Sequence, residues 1–194
     1  PVLISREPKT REQLAGVPIA VPGEWTSATL ATKLWYPEAV TTPVDFDQIM
    51  ERVGSGEFEA GVIIHEGQVT YEEQGYYSVV DFGKWWAETQ DGLPLPLGGN
   101  AIRRDLGGEH IHEISRILRD SIAYALEHRE EALLYAEKYN RGLTRELTDK
   151  FVGMYVNQRT LDYGDDGREA VRRFLDMGEK SGAIPPVADP EFIR

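Results

Sequence analysis

The first half of the chain alternates between strand patterns and helical patterns. Short apolar runs that predict strands lie at residues 1–5, 17–21, 60–64 and 77–82. Between the second and third runs, Thr26 to Trp35 and Asp45 to Val53 have apolar residues at helical spacing. A strand, helix, strand order predicts a right-handed crossover between parallel strands. We therefore expect an α/β unit in this half.

The second half has a different pattern, because helical periodicity dominates from Glu109 onward. Apolar stripes at helical spacing occur within residues 111–125, 132–139, 147–155 and 171–175. Between the halves, Leu93 to Ile102 has prolines at alternate positions, which indicates an extended connection that does not donate to a ladder there. The pattern predicts one part over residues 1–98 and a second, mainly helical part over residues 99–194.

One strand pattern ends in titratable side chains. Val62, Ile63 and Ile64 predict a strand buried on both faces, and His65 and Glu66 follow directly. In open α/β sheets, ligands bind beyond the carboxyl ends of the strands, so His65 is a candidate catalytic residue. An isolated histidine is also often a surface or core residue without chemistry. Glu66, adjacent in the extended chain, is expected to point to the opposite side and is left out of the site.

A second candidate region follows the strand at residues 17–21. This strand closes at Pro22-Gly23, and a helix pattern begins near Thr26 and Ser27. Amide groups of a first helical turn have no partner within the helix, so they favour a carboxylate or phosphate, and the two hydroxyls can add donors. The alternative is a simple N-cap, worth about 1 kcal/mol. Both uses stay open, since one hydroxyl can cap the helix while its neighbour binds a ligand.

Composition narrows the class of partner. There are 21 Lys and Arg residues against 33 Asp and Glu, a formal net charge of −12, so neither nucleic acid nor an anionic membrane is an expected partner. Cysteine is absent, which excludes disulfides and thiolate chemistry. No apolar segment approaches the ~20 residues of a membrane span, and the beginning of the chain does not read as a signal peptide. These features are compatible with the cytoplasmic location that we expect.

Cofactor and metal motifs are absent from the sequence. It has no P-loop, GxGxxG, HExxH or nucleophile elbow, and we expect no cofactor. His110 and His112 cannot place both imidazoles on one helical face, so we expect no metal there. The remaining candidates are His65 at the end of a strand and the anion-binding helix start at Thr26 and Ser27. That pair suits proton abstraction or elimination on a small anionic substrate, because histidine titrates near neutrality.

Several sequence blocks together resemble one enzyme family. They are Gly16–Gly23 with Thr26-Ser27-Ala28, Glu59–Glu66 with Thr70-Tyr71, Val79–Gly83 with Trp85-Trp86, Gly92–Gly98 and Ala101–Gly107. The chain resembles the 1,4-dihydroxy-6-naphthoate synthases of the futalosine route to menaquinone. The resemblance implies a type II periplasmic-binding-protein-like α/β fold, with one α/β lobe complete and the C-terminal helices of the second lobe.

The resemblance also implies an activity and a site. Members of the family are carbon–carbon lyases that convert cyclic dehypoxanthinyl futalosine to 1,4-dihydroxy-6-naphthoate. It makes His65 the general base, and it makes Ser27 and Ala28 substrate-binding residues, with Thr26 adjacent. Two alternatives are a solute-binding protein of the same fold without chemistry, and the related chorismate dehydratase, which is not expected to have the His65-Glu66 block.

The chain departs from the family pattern at its start. Family members have, before the strand that matches Pro1 to Ser5, a segment that forms much of the other lobe and includes a further substrate-binding loop. We expect that upstream residues are missing from this sequence. We also expect the 194-residue chain alone to be poorly active or inactive.

Overall fold

The structure, a computed structural model, describes residues 1–139 and 142–193. The chain divides into two compact units. The first unit contains Pro1–Leu97 and Glu169–Ala188, and the second contains Gly98–Arg168 and the residues from Asp189 onward. The assignment of residues 1–98 and 99–194 to two lobes stays a prediction.

The first unit is built on a mixed five-stranded sheet in the order β3-β2-β4-β1-β5. Its strands are β1 (Val2–Ser5), β2 (Pro18–Val21), β3 (Val40–Pro43), β4 (Ala60–Ile63) and β5 (Tyr77–Asp81). Strand β2 pairs in parallel with β3 and β4, whereas β1 is antiparallel to β4 and β5. The parallel pairing predicted from the strand, helix, strand order is confirmed for β2 and β4.

The helices of the described residues follow the predicted pattern with shifted bounds. They are α1 (Ser27–Trp35), α2 (Ile49–Gly54), α3 (Phe82–Thr89), α4 (Gly108–Glu127), α5 (Arg129–Ala136), α6 (Arg145–Tyr155), α7 (Gln158–Leu161) and α8 (Gly164–Lys180). The helix predicted from Asp45 begins only at Ile49, because a hydrogen-bonded turn from Asp45 to Gln48 precedes it.

The core of the first unit covers both faces of the sheet. Helix α1 and the aromatic side chains of Phe82, Trp86 and Phe174 pack on one face. Helix α2 packs on the other face through Ile49 and Val53. Trp86 is fully buried, with its ring centroid 5.2 Å from that of Phe174 in an edge-to-face contact. Because both faces are covered, the central strands are apolar at consecutive positions.

Glycine at position 61 lets α2 approach the sheet closely. A Cβ at Gly61 would lie 2.5 Å from Ile49 Cγ2 and 2.9 Å from Val53 Cγ2. Any side chain in β4 at this point would therefore push α2 away from the sheet. Gly61 sets the distance between the helix and the strand.

The second unit is helical and has few buried side chains. Among its described residues, only Leu133 and Thr148 have buried side chains. Helix α5 contacts both α4 and α6, and Arg129 Nε donates to Asp149 Oδ1 at 2.7 Å between α5 and α6. Of the helices in the described residues, none combines the length and apolar content that a membrane crossing needs.

Candidate functional site

The candidate site lies at the carboxyl edge of β2 and β4. These strands are parallel neighbours, with Ile19 opposite Ala60 and Ala20 opposite Gly61. The start of α1 follows β2, and His65 follows β4, so both lie beyond the same edge of the sheet. Helices α1 and α2 pack on opposite faces of the sheet. Ligands of open α/β sheets bind at strand ends of this kind.

Thr26 is the N-cap of α1. Its Oγ1 accepts a hydrogen bond from the Thr29 amide at 3.2 Å and donates to the Gly23 carbonyl oxygen at 3.0 Å. Thr29 Oγ1 donates to the same carbonyl oxygen at 2.6 Å. The Thr26 hydroxyl therefore serves the fold, tying the glycine turn to the first turn of the helix.

Ser27 and Ala28 present donors that the fold does not use. The Ser27 side chain is half-buried, and within the described residues its hydroxyl makes no hydrogen bond. The amides of Ser27 and Ala28 belong to the first turn, where no carbonyl of the helix can accept from them. Two amides and one hydroxyl thus lie at the positive end of the helix dipole, an arrangement that suits a carboxylate or phosphate.

His65 is an N-cap as well. Strand β4 ends at Ile63, and a short 3-10 helix, Glu66–Val69, begins directly after His65. The Gly67 amide donates to His65 Nδ1 at 2.9 Å, and the Gln68 amide donates to the His65 carbonyl oxygen at 3.0 Å. Side chain and main chain of His65 are therefore both held by the turn that follows. Sequence reasoning missed this cap because histidine is not among the usual N-cap residues.

Gly67 lies in tight contact with this histidine. A Cβ at Gly67 would lie 2.4 Å from Met50 Sδ and 2.5 Å from His65 Cε1. Met50 is part of α2, so the helix that packs on β4 also packs on the turn. Gly67 belongs to the candidate site, but the sequence analysis did not single it out. The only signal in the sequence was that the residue is a glycine, which permits close approach of other atoms.

Glu66 does not lie in an extended strand, so the orientation predicted for it from strand alternation is wrong. Glu66 is the first residue of the 3-10 helix, outside β4, so strand alternation does not apply to it. The strand predicted to Ile64 ends one residue earlier, and the chain turns at His65.

An exposed aromatic side chain lies near His65. Phe46, which follows β3, is 42 % exposed, and its ring centroid lies 6.3 Å from that of His65 with the planes tilted by 51°. The helix predicted from Asp45 to Val53 included Phe46. The helix begins after it, so Phe46 is left at the edge of the sheet beside the candidate site.

The other histidines lie in the second unit. His112 Nδ1 is 2.7 Å from the Gly108 carbonyl oxygen, and His128 stacks on Tyr124 with ring centroids 3.9 Å apart. His110 is exposed in α4. Within residues 1–139 and 142–193, no group of three or more His, Asp or Glu side chains is placed to hold a metal ion.

The fold of the chain is that of a periplasmic solute-binding protein. A putative periplasmic sulfonate-binding protein of a sulfonate ABC transporter from Methylobacillus flagellatus KT superposes with a TM-score of 0.60. The two share 14 % sequence identity over 93 % of this chain and 58 % of that one, so this likeness concerns the fold alone. The predicted fold class is confirmed.

Sequence comparisons define the family. A family model described as menaquinone biosynthesis matches residues 1–180. A 1,4-dihydroxy-6-naphthoate synthase of Thermus thermophilus is 41 % identical over all of this chain and 70 % of its own length. The enzyme of that name from Streptomyces coelicolor is 32 % identical over 95 % of this chain and 67 % of its own length.

A solved structure is similar to this chain in fold and sequence. A protein of Archaeoglobus fulgidus superposes with a TM-score of 0.88 at 42 % identity, covering 94 % of this chain and 68 % of that protein. The chain belongs to the 1,4-dihydroxy-6-naphthoate synthase family of menaquinone biosynthesis. The family predicted from the sequence blocks is confirmed.

Proposed function

We propose that the protein is a carbon–carbon lyase that forms 1,4-dihydroxy-6-naphthoate from cyclic dehypoxanthinyl futalosine in menaquinone biosynthesis. One observation supports this most directly. A titratable His65 and unused donors at the start of α1 lie at the ends of neighbouring parallel strands, in a chain that is 41 % identical to a relative with that name. We place the reaction in the cytoplasm.

Substrate binding is assigned to the first turn of α1. The Ser27 hydroxyl and the amides of Ser27 and Ala28 would hold an anionic group of the substrate. Hydrogen bonds to charged groups are each worth about 1.5–3 kcal/mol. Thr26 supports this turn as its cap and, since its hydroxyl is already engaged by Gly23 and Thr29, binds the ligand only indirectly.

The catalytic step is assigned to His65. In this proposal its imidazole acts as general base and takes a proton from a substrate carbon. General bases of this kind contribute about 10²–10⁴-fold in rate. Phe46, exposed beside His65, offers an apolar face for a flat ring of the substrate.

The test is turnover by the full-length protein with His65→Ala. Naphthoate formation is expected to fall to background while the far-ultraviolet circular dichroism spectrum stays unchanged. Undiminished turnover by this variant would remove His65 from the mechanism.

A non-catalytic solute-binding role is the second candidate, favoured by the likeness to a sulfonate-binding protein. Incubation of full-length protein with saturating cyclic dehypoxanthinyl futalosine separates the lyase from the solute-binding protein. A binding protein would bind the compound without forming product. Incubation with chorismate tests the dehydratase alternative in the same assay.

A further inference from the structure

The hydrogen bond between Gly67 and His65 determines which ring nitrogen holds the proton. A nitrogen that accepts an N–H must have a lone pair, and the Gly67 amide donates to His65 Nδ1 at 2.9 Å. Neutral His65 therefore has its proton on Nε2, a tautomer assigned from the hydrogen bond. The Nε2 atom is buried and points away from the Gly67 amide.

Proton abstraction by Nε2 needs the other tautomer. A base must direct a lone pair at the proton that it takes, so Nε2 would have to be bare and Nδ1 protonated. Nδ1–H and the Gly67 N–H would then face each other as two donors across the distance of 2.9 Å seen in the structure. The capped state of His65 and the state in which Nε2 is a base exclude each other.

We infer that Gly67 is a positioning residue whose amide fixes the tautomer of His65. In the resting protein the buried Nε2 holds the proton, so it can act as a hydrogen-bond donor but not as a base. Once the bond to Gly67 is released, the freed Nδ1 lone pair can take a proton from the substrate, which leaves the ring as an imidazolium. This inference rests on the proposed function and adds to it the group that controls the role of the histidine.

The backbone of Gly67 has little freedom to yield to the histidine. Its carbonyl oxygen accepts hydrogen bonds from the amides of Thr70 at 3.1 Å and Tyr71 at 2.9 Å. On the other side, the space next to its Cα is filled by Met50 Sδ and the His65 ring. The donor is therefore held in place by the turn, and the imidazole ring is the part that must move.

Nitrogen-15 NMR on the full-length protein, without substrate, tests the inference directly. We expect a scalar coupling across the hydrogen bond between the Gly67 amide nitrogen and His65 Nδ1. At a pH where the ring is neutral, we expect the shifts of a bare Nδ1 and a protonated Nε2, with His110, His112 and His128 as references within the same spectrum. A protonated Nδ1, shifts averaged between both tautomers, or no coupling to Gly67 would each overturn the inference.

Two glycine variants show whether Gly67 is the cause. Gly67→Ala is expected to abolish the coupling and to leave His65 with averaged tautomer shifts. Gly83→Ala is the matched control, because the Gly83 amide also donates to a capping side chain, Asp81 Oδ1 at 2.9 Å. It is expected to leave the His65 signals unchanged.

A Gly67→Ala variant that retains a single Nε2-protonated ring would overturn the role of Gly67. If that variant does not fold, the coupling in the unsubstituted protein decides the question alone. The NMR measurement needs no turnover, so it tests the tautomer separately from the lyase activity. The tautomer inference can be wrong while the lyase assignment is right, and it can be right in a protein that only binds its ligand.

Discussion

The chain caps a helix after β2 and again after β4, but the residues that cap and the candidate functional residues are divided differently at the two strand ends. Each parallel strand is followed by a residue whose side chain caps the next helix, Thr26 after β2 and His65 after β4. After β2 the cap and the ligand donors are different residues, since Ser27 and Ala28 remain available. After β4 the cap is itself the candidate catalytic residue. Capping and the candidate ligand binding therefore lie on different residues at the first end, whereas at the second end capping and the candidate chemistry share one imidazole.

The largest effect is expected at His65, where asparagine separates the two roles. His65→Asn keeps an oxygen within reach of the Gly67 amide but offers no group that exchanges a proton, so turnover should fall about 10²–10⁴-fold. Its stability should stay near that of the unsubstituted protein, whereas His65→Ala should lose about 1 kcal/mol as an N-cap.

Steady-state kinetics and urea unfolding of both His65 variants check this prediction. Turnover retained by His65→Asn would mean that the histidine is only a cap. Equal stability of the asparagine and alanine variants would mean that the cap contributes nothing.

Gly67→Ala should be the most destabilising change at the second strand end that leaves the histidine in place. The added methyl group collides with Met50 Sδ and the His65 ring, and overpacking of this kind costs about 1–3 kcal/mol. Gly83→Ala, with its closest contact at 3.3 Å from Asp81 Oδ1, should be close to neutral. Thermal and urea unfolding of the pair measure the difference, and equal losses would contradict the crowding argument.

At the first strand end, Ser27→Ala should weaken binding without affecting the fold. Loss of one hydrogen bond to an anionic group, about 1.5 kcal/mol, corresponds to about a tenfold rise in KM. The free energy of unfolding should not change, because the Ser27 hydroxyl makes no hydrogen bond within the described residues. An unchanged KM would remove Ser27 from the binding site.

The smallest effect is expected at Thr26, and it should appear in stability alone. Thr26→Ala removes the bonds to the Thr29 amide and the Gly23 carbonyl, at a cost of about 1 kcal/mol. Thr26→Ser keeps the hydroxyl and should restore most of the lost stability in urea unfolding. If the two variants raise KM as much as Ser27→Ala does, Thr26 contacts the ligand.

Sequence patterns predicted the elements that form the centre of the first unit. Buried strands such as β4 are visible as continuous apolar runs, and the start of α1 is visible as a glycine turn followed by Thr26 and Ser27. Strand β3 was missed because Thr41 and Thr42 are only partly buried and Pro43 is typical of an edge strand. The positions of β1 and β5 in the sheet and their antiparallel pairing depend on contacts between distant segments. A local sequence pattern does not contain this information.

The sequence predicted that the candidate residues follow strand ends, but it did not predict their geometry. His65 and the start of α1 followed from the strand-end rule and from the family resemblance. The hydrogen bond from the Gly67 amide to His65 Nδ1 depends on the turn of the chain after Ile63. Met50 packs against this turn from another element. Phe46 was included in the predicted helix because the periodicity does not show where the helix begins.

The lack of a side chain at Gly61 also links the packing of the sheet to the candidate site. Helix α2 rests on Gly61 through Ile49 and Val53, and from the same helix Met50 reaches the turn that holds His65. The helix therefore sets the distance between the sheet and the turn that holds His65. A substitution at Gly61 changes the packing of α2 on the sheet. Because the same helix contacts the turn of His65, we expect such a substitution to change reactivity as well.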